Sequence, residues 1–409
     1  MLNWANQFST FCFLDNHHYQ LAGHSIECVL AAGVVDSIAL PAADALHHLQ
    51  PFLQKQRRWL FGHLAYDLKN EIEHLQSAHG DSIQFPDLFF FQPETIIWLH
   101  EKSMRIESIV KDAETIFLEI MRGVDPINVP VTGCNVNNRI NRDEYVSIVG
   151  ELKSHILRGD CYEINFCQEF FSENVTLEPL SLYKNLSVAS PNPFSGFYRV
   201  NDKYLLCASP ERFLKKQKNK ILSQPIKGTS SREKDQRQDE ESRINLRKSP
   251  KERSENVMIV DLVRNDLSKI CVEGSVQAEE LFGIYSFPQV HQMISTVSGT
   301  LRPSLRFSDI IRATFPMGSM TGAPKKRVLE LIEKYEKTKR GIFSGALGYI
   351  DPNGDFDFNV VIRSIMYNAS LKYLSFQTGS GITFYSDPEK EWEECMLKAH
   401  AIKKVLQVD

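Results

Sequence analysis

The sequence lacks the features that mark membrane, secreted and nucleic-acid-binding proteins. No apolar run approaches the roughly 18 residues that a bilayer-spanning helix needs. The first residues, MLNWANQFSTFCFLDNHH, contain no basic segment followed by an unbroken apolar stretch, so a secretory signal is not expected. The 47 Lys and Arg residues against 51 Asp and Glu residues give a formal net charge of -4, which argues against a nucleic-acid or anionic-membrane partner.

Paired cysteines and the common hydrolase motifs are also missing. The eight cysteines show no C-x-x-C and no paired spacing, which predicts reduced, largely buried thiols in a cytoplasmic protein. There is no H-E-x-x-H, no G-x-S-x-G and no cysteine in the G-x-C-x-G setting of a glutamine amidotransferase. The loop FPMGSMTGAPKK, 315–326, lacks the spacing of a phosphate-binding P-loop. Hydrolase chemistry and nucleotide binding are therefore not expected.

The chain does have the composition of an ordinary globular protein, with 42% hydrophobic and 24% charged residues. The segment DPINVPVTGCNVNN, 125–138, is rich in Pro, Asn and Val and is the best candidate for a boundary. A helix is predicted to start at Asn141, which has capping-box spacing to Glu144. Strand-like runs then alternate unevenly with long helical patterns, which predicts an α+β protein with large, mainly antiparallel sheets. The charge-dense segment 231–253 is predicted to be a solvated, ion-paired surface.

The stretch SQPIKGTSSR, 223–232, contains a lysine in an unusual setting. KNKILSQPI predicts a strand, and Gly228 and the serines after it predict the turn that ends this strand. Lys227, at the junction, is either a solvated surface residue or an amine held in a partly desolvated cleft. In a cleft its pKa would fall and the amine would become a nucleophile. The local sequence leaves both interpretations open.

Two predicted helices carry carboxylates three residues apart, which places each pair on one helix face. In the helix after Ser249, Glu252 falls at a capping-box position, whereas Glu255 precedes the apolar run NVMIVDL, which should be buried. In the C-terminal helix the pair is Glu391 and Glu394, beside an apolar stripe. A solvated acidic face explains either helix alone. Two such faces meeting across a cleft would form a hard-oxygen site for Mg²⁺, but spacing does not show whether they meet.

Four further features of the sequence can each be interpreted in two ways. The loop 315–326 is either a plain loop before a helix or a helix N-terminus that receives a carboxylate. Gly379 and Gly381 either turn the chain or let backbone N–H groups approach an anion. Arg363 interrupts an apolar strand and needs an acidic partner, either an internal one or a substrate carboxylate. Glu211 is either an exposed acid or, in a cleft, a general acid with a raised pKa.

Eight segments, in order along the chain, resemble the chorismate-utilising enzymes and, within that family, the component I chains of aminodeoxychorismate synthases. They cover residues 139–405 and read GDCYEINF, SPERF, PIKGT, ENVMIVDLVRNDL, GSMTGAPK, FNVVIRS, TGSGI and EWEECMLKA. Residues 1–124, with GHLAYDLKNEIE, resemble the same family less distinctively. The resemblance implies an α+β fold of two large, mainly antiparallel sheets, packed as a β-sandwich with helices outside. The two parts of the chain would form one compact unit.

The resemblance also implies a role for each candidate residue. Mg²⁺ would hold the ring carboxylate of chorismate, with Glu255 and Glu394 as direct ligands and Glu252 and Glu391 acting through bound waters. Glu211 would be the acid that helps to expel the C4 hydroxyl. The substrate site would be lined by Arg363, Gly379, Gly381, Ser319, Thr229 and Gln292.

For Lys227 the resemblance implies nucleophilic chemistry. Anthranilate synthases typically read PIAGT, with alanine at this position, whereas aminodeoxychorismate synthases read PIKGT. There the amine attacks C2 of chorismate as the C4 hydroxyl leaves, and ammonia then adds at C4 and displaces the lysine. Isochorismate and salicylate synthases carry a water-activating lysine at the position of Glu163 instead, so those activities are not expected. Phe343, where anthranilate synthases commonly have tyrosine, favours the same assignment.

The implied product is 4-amino-4-deoxychorismate, on the route to p-aminobenzoate and folate. The amidotransferase nucleophile is missing and the chain ends soon after EWEECMLKA, so ammonia is expected from solution or from a glutamine amidotransferase subunit, component II. Anthranilate synthase component I and a non-catalytic chorismate or amino-acid sensor are the alternatives.

Three positions depart from the family's pattern. The family often has histidine at the position of Gln292, whereas here the histidine is one place earlier, at His291. Glu163 replaces a more usual glutamine. The segment FLDN, 13–16, lacks the L-x-E-S pattern linked to tryptophan feedback, so that regulation is not expected.

Overall fold

The computed structural model describes residues 1–19, 26–55, 57–123, 131–288 and 290–408. Its α-helices are α1 (Leu2–Ala5), α2 (Ala45–Gln54), α3 (Lys69–Glu73), α4 (Ala113–Met121), α5 (Arg142–Leu157), α6 (Pro179–Ala189), α7 (Gln236–Lys248), α8 (Pro250–Ser268), α9 (Phe307–Thr314), α10 (Lys325–Tyr335) and α11 (Pro388–Leu406). Short 3-10 helices cover Tyr66–Leu68 and Gly318–Met320.

Its strands are β1 (Thr10–Asp15), β2 (Cys28–Ala32), β3 (Asp36–Leu40), β4 (Leu60–Leu64), β5 (Leu88–Gln92), β6 (Thr95–His100), β7 (Ser103–Ser108), β8 (Asn137–Asn138), β9 (Glu163–Ser172), β10 (Phe194–Val200), β11 (Lys203–Ser209), β12 (Arg212–Gln217), β13 (Lys220–Gln224), β14 (Ile226–Ser231), β15 (Gln277–Ser286), β16 (Val290–Thr300), β17 (Gly322–Ala323), β18 (Ala346–Ile350), β19 (Phe356–Asn359), β20 (Ser364–Asn368) and β21 (Tyr373–Ile382).

These strands form two large antiparallel sheets. Sheet I has eleven strands in the order β17-β9-β21-β20-β11-β10-β1-β2-β6-β7, with β8 also paired to β9. Sheet II has ten strands in the order β14-β16-β13-β12-β19-β18-β4-β5-β3, with β15 also paired to β16. The predicted α+β class with large, mainly antiparallel sheets is confirmed.

Both sheets mix strands from the beginning and from the rest of the chain. In sheet I, β1 pairs with β10, and in sheet II, β4 pairs with β18. Of the proposed boundary segment 125–138, residues 125–130 lie outside the described residues, and the segment ends in β8, which pairs with β9. A division of the chain into 1–124 and 139–405 stays a prediction.

Side chains alternate between two cores along the strands of sheet I. Phe11 and Phe13 belong to a core shared with residues of α5, α6, α10 and α11. Cys12, between them, belongs to a second core shared with residues of sheet II such as Phe61 and Leu214. This period of two is what an extended chain buried on both faces requires.

Most of the local sequence predictions are confirmed. The side chain of Asn141 accepts a hydrogen bond from the Glu144 N–H (3.0 Å) at the start of α5. In the charged segment, α7 is largely exposed and carries ion pairs such as Arg243–Glu240. All eight cysteines are free thiols, and all except Cys134 are buried. No helix within the described ranges is long and apolar enough to cross a membrane.

Candidate active site

Lys227 lies where the edges of the two sheets meet. It is on β14, at the edge of sheet II, and its Nζ atom is 2.6 Å from Oε1 of Glu163 on β9 of sheet I. The side chains are only 11% and 2% exposed. Gly381, on β21 opposite Asn165 of β9, borders the same pair, since a Cβ atom there would be 2.5 Å from Nζ. The interpretation of Lys227 as a solvated surface residue is therefore wrong.

The carboxylates around Lys227 reverse the pKa shift expected for an amine in a cleft. Burial lowers the pKa of Lys227, but the negative charges of Glu163, Glu255 and Glu211 outweigh it and hold this pKa above its usual range. The expected fall of the pKa is therefore wrong. Lys227 is an ammonium ion here, and it becomes a nucleophile only when a proton is removed.

The strand that carries Lys227 does not end at Gly228, so the predicted turn is wrong. β14 continues to Ser231, with a shift in its pairing to β16 between Ile226 and Thr229. Gly228 occupies this irregularity at φ +96°, and a Cβ atom there would be 3.0 Å from Oε2 of Glu252. The absence of a side chain lets α8 approach β14 closely.

Asn256 links α8 to the neighbouring strands β14 and β16. Its Nδ2 atom donates to the carbonyl oxygen of Lys227 (3.4 Å), and its Oδ1 atom accepts from the Ser295 hydroxyl (2.6 Å) on β16. Sequence reasoning missed Asn256, because it sits inside the run NVMIVDL and was counted with its apolar neighbours. Part of that run is also more exposed than expected, since Val257 and Met258 face solvent.

Glu211 follows β11 and is buried, at 4% exposure, so its interpretation as an exposed acid is wrong. Burial raises its pKa to about 7, although the nearby Ser319 hydroxyl, Lys227, the Ile226 N–H and Arg363 each lower it. The expectation of a raised pKa is confirmed. A carboxyl group that is partly protonated near neutral pH can donate a proton to a leaving oxygen.

Arg363 does not interrupt a strand. It precedes β20 and has a left-handed backbone with φ 51°. Burial lowers its pKa to about 10, and Glu211 offsets part of that effect. Within the described parts of the chain, no carboxylate lies in ion-pair range of its guanidinium, so the internal ion pair is not formed. A half-buried guanidinium without such a partner suits a substrate carboxylate.

The acidic faces of α8 and α11 lie close enough for their charges to interact. The pKa of Glu252, on α8, is raised by burial, and the negative charges of Glu394 and Glu391, on α11, add to that rise. Glu391 is buried and accepts a hydrogen bond from the Ser380 hydroxyl. Glu394 is about half exposed, and its Oε1 atom is 2.8 Å from the Lys398 ammonium. Neither acidic face is simply solvated.

Glu255 completes this set, and its side chain is 13% exposed. Burial raises its pKa to about 7, against the attraction of Lys227. Burial raises the pKa of Glu252 as well, whereas the Lys398 ammonium outweighs burial at Glu394 and holds the pKa of that carboxyl below its usual range. Carboxylates on these two helices are the hard-oxygen donors that Mg²⁺ prefers, and a divalent cation would offset their negative charge. The donor set therefore fits Mg²⁺. In the portion of the chain that is described, no three acidic, His or Cys side chains are already gathered tightly enough to hold an ion.

Of the remaining predicted substrate residues, Ser319 lies in the 3-10 helix Gly318–Met320 and the others lie on strands, so a turn at Gly379 and Gly381 is wrong. Gly379 is two residues before Gly381 on β21, and its carbonyl oxygen accepts from Lys398 Nζ (2.8 Å). Thr229 is exposed on β14, opposite Gln292 on β16. Gln292 is buried, and its Oε1 atom has no hydrogen-bond partner in the described structure.

His291, the neighbour of Gln292, does not take over the substrate-binding role predicted for Gln292. His291 points to the other side of β16, as successive strand residues do. Its ring nitrogens lie 2.8 Å from the Ser286 hydroxyl and 3.0 Å from Oδ1 of Asp239. This buried histidine is within hydrogen-bond distance of α7 through Asp239. Phe343 is buried in the core.

A buried ion pair holds the two chain segments that line the site. Arg340 pairs with Glu336 (2.6 Å), and both side chains are almost fully buried. Arg340 donates to the carbonyl oxygens of Met320 (2.7 Å) and Asn165 (2.8 Å), and so links the Gly318–Met320 helix to β9. Sequence reasoning missed this pair. The signal was the i, i+4 spacing of Glu336 and Arg340, but spacing alone does not distinguish a buried clamp from a surface pair.

Known proteins resemble the chain over most of its length. The profile of the chorismate binding enzyme family matches residues 11–404. The chain is 33% identical over 354 residues to "Anthranilate synthase component I-like protein" of Synechocystis sp., covering 85% of this chain and 72% of that protein. It is 32% identical over 362 residues to "Aminodeoxychorismate synthase component 1" of Bacillus subtilis, covering 85% and 76%.

A solved structure shares the whole architecture. The structure of anthranilate synthase component I from Streptococcus pneumoniae is similar with a TM-score of 0.81 and 26% identity, covering 95% of this chain and 94% of that one. The chain belongs to the chorismate binding enzyme family. Relatives from two of its named activities resemble the chain to about the same degree, so the activity has to be argued from the site.

Proposed function

We propose that this chain is component I of an aminodeoxychorismate synthase, which aminates chorismate with ammonia to 4-amino-4-deoxychorismate in a Mg²⁺-dependent reaction. The observation that carries the proposal is the buried lysine of PIKGT. Lys227 is next to Gly381, and its charge interacts with Glu211, the candidate acid. A lysine with no role beyond surface charge would not be buried in ion-pair contact with a buried carboxylate.

In the proposed reaction Lys227 is the nucleophile. Its amine bonds to C2 of chorismate, the conjugated ring electrons shift, and the C4–O bond breaks. Glu211, with a pKa near 7, gives its proton to the departing oxygen, which leaves as water. Ammonia then bonds to C4, the electrons shift back, and the C2–N bond to Lys227 breaks. One difficult substitution becomes two easier ones.

The other residues bind and orient the substrate. Glu255 and Glu394 are the proposed direct ligands of Mg²⁺, and Glu252 and Glu391 are proposed to act through its waters. When bound, the ion supplies positive charge for the ring carboxylate of chorismate.

Arg363 is proposed to bind the second carboxylate of the substrate, because its guanidinium has no ion pair of its own in the described structure. Ser319, Gly379, Gly381, Thr229 and Gln292 are proposed to line the remainder of the substrate site. The position of Gly381 beside Lys227 and the interaction of the Ser319 hydroxyl with Glu211 support this assignment.

The reaction belongs to the synthesis of p-aminobenzoate and folate, and we propose a cytoplasmic enzyme. The sequence has no cysteine in a G-x-C-x-G setting, so glutamine nitrogen would have to reach the site through a glutamine amidotransferase subunit, component II. Relatives that are named as component 1 of an aminodeoxychorismate synthase support such a partner.

Product analysis tests the proposal. The purified chain is incubated with chorismate, Mg²⁺ and an ammonium salt, with and without an added aminodeoxychorismate lyase, and the products are separated by chromatography. We expect aminodeoxychorismate alone, and p-aminobenzoate only when the lyase is present. Fluorescent anthranilate as the main product would assign the chain to the anthranilate synthases instead. No turnover at saturating Mg²⁺ and ammonia would favour a non-catalytic sensor.

A further inference from the structure

Glu163 lies beside Lys227 and has no role in the reaction proposed above. It is the first residue of β9, its side chain is 2% exposed, and its Oε1 atom is 2.6 Å from the Lys227 ammonium. Its second oxygen, Oε2, is buried and has no hydrogen-bond partner among the described residues. A buried carboxylate with a free oxygen is costly unless its charge has a use or a partner. Lys227 is that partner.

Three carboxylates face Lys227 from three different parts of the fold. Glu163 comes from β9, Glu255 from α8 and Glu211 from the connection between β11 and β12. Farther away, Lys227 still acts electrostatically on Glu252 and Glu394. Within the described chain, Glu163 alone is in ion-pair contact with the ammonium. Glu211 must keep a proton for the leaving oxygen, and Glu255 is assigned to the metal. Glu163 is therefore the remaining carboxylate that can accept a proton from Lys227.

We propose that Glu163 is a positioning residue that holds the Lys227 ammonium against Gly381 and takes its proton when the amine attacks chorismate. This inference rests on the proposed function, since it deepens the role of the same lysine. The geometry supports direct transfer: the two atoms are already in hydrogen-bond contact, and the low exposure of both side chains limits access of bulk water.

The step balances in protons and electrons. One N–H bond of Lys227 breaks and the proton moves to Oε1 of Glu163, which frees the nitrogen lone pair to form the bond to C2. The C4–O bond breaks as the ring electrons shift, and the oxygen leaves as water with the proton of Glu211. When ammonia later displaces Lys227, the released amine takes its proton back from Glu163. The C4 ammonium of the product gives one proton to Glu211, and both acids return to their starting states.

A glutamine at position 163 would separate the two roles proposed for Glu163, which are to hold the Lys227 ammonium in place and to accept its proton. Its amide oxygen can accept a hydrogen bond from Lys227, but it cannot take the proton. Glu163→Gln therefore keeps the shape of the site and removes only the proton acceptor. Glu163→Asp keeps the acceptor on a side chain shorter by one methylene.

The experiment measures adduct formation without ammonia. Wild type, Glu163→Gln and Glu163→Asp are mixed with chorismate and saturating Mg²⁺, quenched at intervals and followed by intact-protein mass spectrometry from about pH 6.5 to 9.5. The control is Glu173→Gln, which makes the same chemical change at an exposed position just after β9. Circular dichroism and thermal melting of each variant check the fold.

At pH 7 we expect Glu163→Gln to form the adduct about 100-fold more slowly than wild type, as for loss of a general base. The ratio of the wild-type rate to the variant rate should shrink as pH rises, because hydroxide and solvent then deprotonate Lys227. Glu163→Asp should recover part of the rate at pH 7, and Glu173→Gln should match wild type. The chorismate concentration at half-maximal rate should change little, since Glu163 acts on the lysine.

Three outcomes would overturn the inference. A loss of rate by the same factor at every pH would mean a structural role only. Faster adduct formation by Glu163→Gln at pH 7 would mean that the carboxylate keeps the Lys227 amine protonated and so slows its attack. If wild type itself forms no adduct but still aminates chorismate, the nucleophilic role of Lys227 fails, and this inference fails with it. The first two results leave the proposed function intact.

Discussion

Gly381 leaves space for Lys227 that any other residue would fill. A Cβ atom on Gly381 would lie 2.5 Å from Lys227 Nζ and 2.8 Å from Glu163 Oε1, well inside van der Waals contact. Both atoms are the ends of side chains rather than backbone. The clash of a larger residue would therefore move the amine and not the strand.

Gly381→Ala should lower kcat for amination by about 100-fold, because displacement of a reacting group by about 1 Å costs this much. The melting temperature should change little. The control is Gly150→Ala, where a Cβ atom meets no heavy atom within 4 Å in the middle of α5. Steady-state kinetics with ammonium salt give the answer. A wild-type kcat in Gly381→Ala would show that the observed position of Lys227 is not the reactive one.

Glu255→Ala and Glu394→Ala should each lose activity by orders of magnitude at saturating Mg²⁺ while the fold survives, because each removes a proposed metal ligand. Calorimetry should show weaker Mg²⁺ binding. Glu393→Ala changes an exposed neighbour on α11 and should behave like wild type. Activity near wild type in Glu394→Ala would remove Glu394 from the metal site and leave it as the partner of Lys398.

Incubation of wild type with chorismate and no ammonia should add to the Lys227 peptide the mass of chorismate less one water. Lys227→Ala should show no adduct and much slower amination. It should also be less stable by roughly 3 kcal/mol, because Glu163 is left as an unpaired buried charge. The double variant Lys227→Ala/Glu163→Gln should regain stability but form no adduct. If Lys227→Ala aminates chorismate at the wild-type rate, ammonia attacks directly.

Glu211→Gln should make the unliganded protein more stable at pH 8 and less active. The pKa of Glu211 rises from 4.5 to about 7 on folding, so its ionisation opposes the folded state above pH 7. At about 1.4 kcal/mol per pKa unit, removal of this charge gives at most about 3.5 kcal/mol. The gain should fade as pH drops from 7 towards 4.5, where the folded wild type is already protonated. Melting temperatures across this range measure it, and a gain independent of pH would contradict the assignment.

With ammonium salt, the rate of the isolated chain should rise with pH, because only unprotonated ammonia has a free lone pair. Glutamine should give no turnover by itself, since the sequence has no amidotransferase nucleophile. Addition of a matching glutaminase subunit should make glutamine effective near neutral pH. Purified chain with glutamine as sole nitrogen source is the deciding assay, and turnover there would refute dependence on a partner.

Local signals in the sequence correctly predicted most of the elements that carry the site. Ser249 caps α8 and Asp387 caps α11, as Ser-Pro and Asp-Pro at helix starts indicate. The failures are at glycines. A turn was predicted at Gly228 and was one of two interpretations of Gly381. Each glycine is instead in a strand where another element approaches closely, which a single sequence does not show.

Electrostatic relationships were the least predictable feature. The fall expected for the pKa of Lys227 assumed that burial dominates, but three carboxylates distant in sequence outweigh it. The approach of the two acidic faces also depends on tertiary structure, because α8 and α11 belong to different ends of the catalytic region. The family motifs implied that these residues belong to one site. Their charges and distances required the fold.

The interleaving of the two sheets has a consequence for synthesis of the protein. On the ribosome, β1 and β4 emerge long before their partners β10 and β18, and β9 emerges long before its partner β21. Pairings this distant in sequence form slowly and leave strand edges open to aggregation, so the nascent chain should depend on chaperones. A chain that stops before β21 and α11 also has no Gly381, Glu391 or Glu394. The chemistry is therefore absent from every unfinished chain and arises only when the final strand and helix have docked.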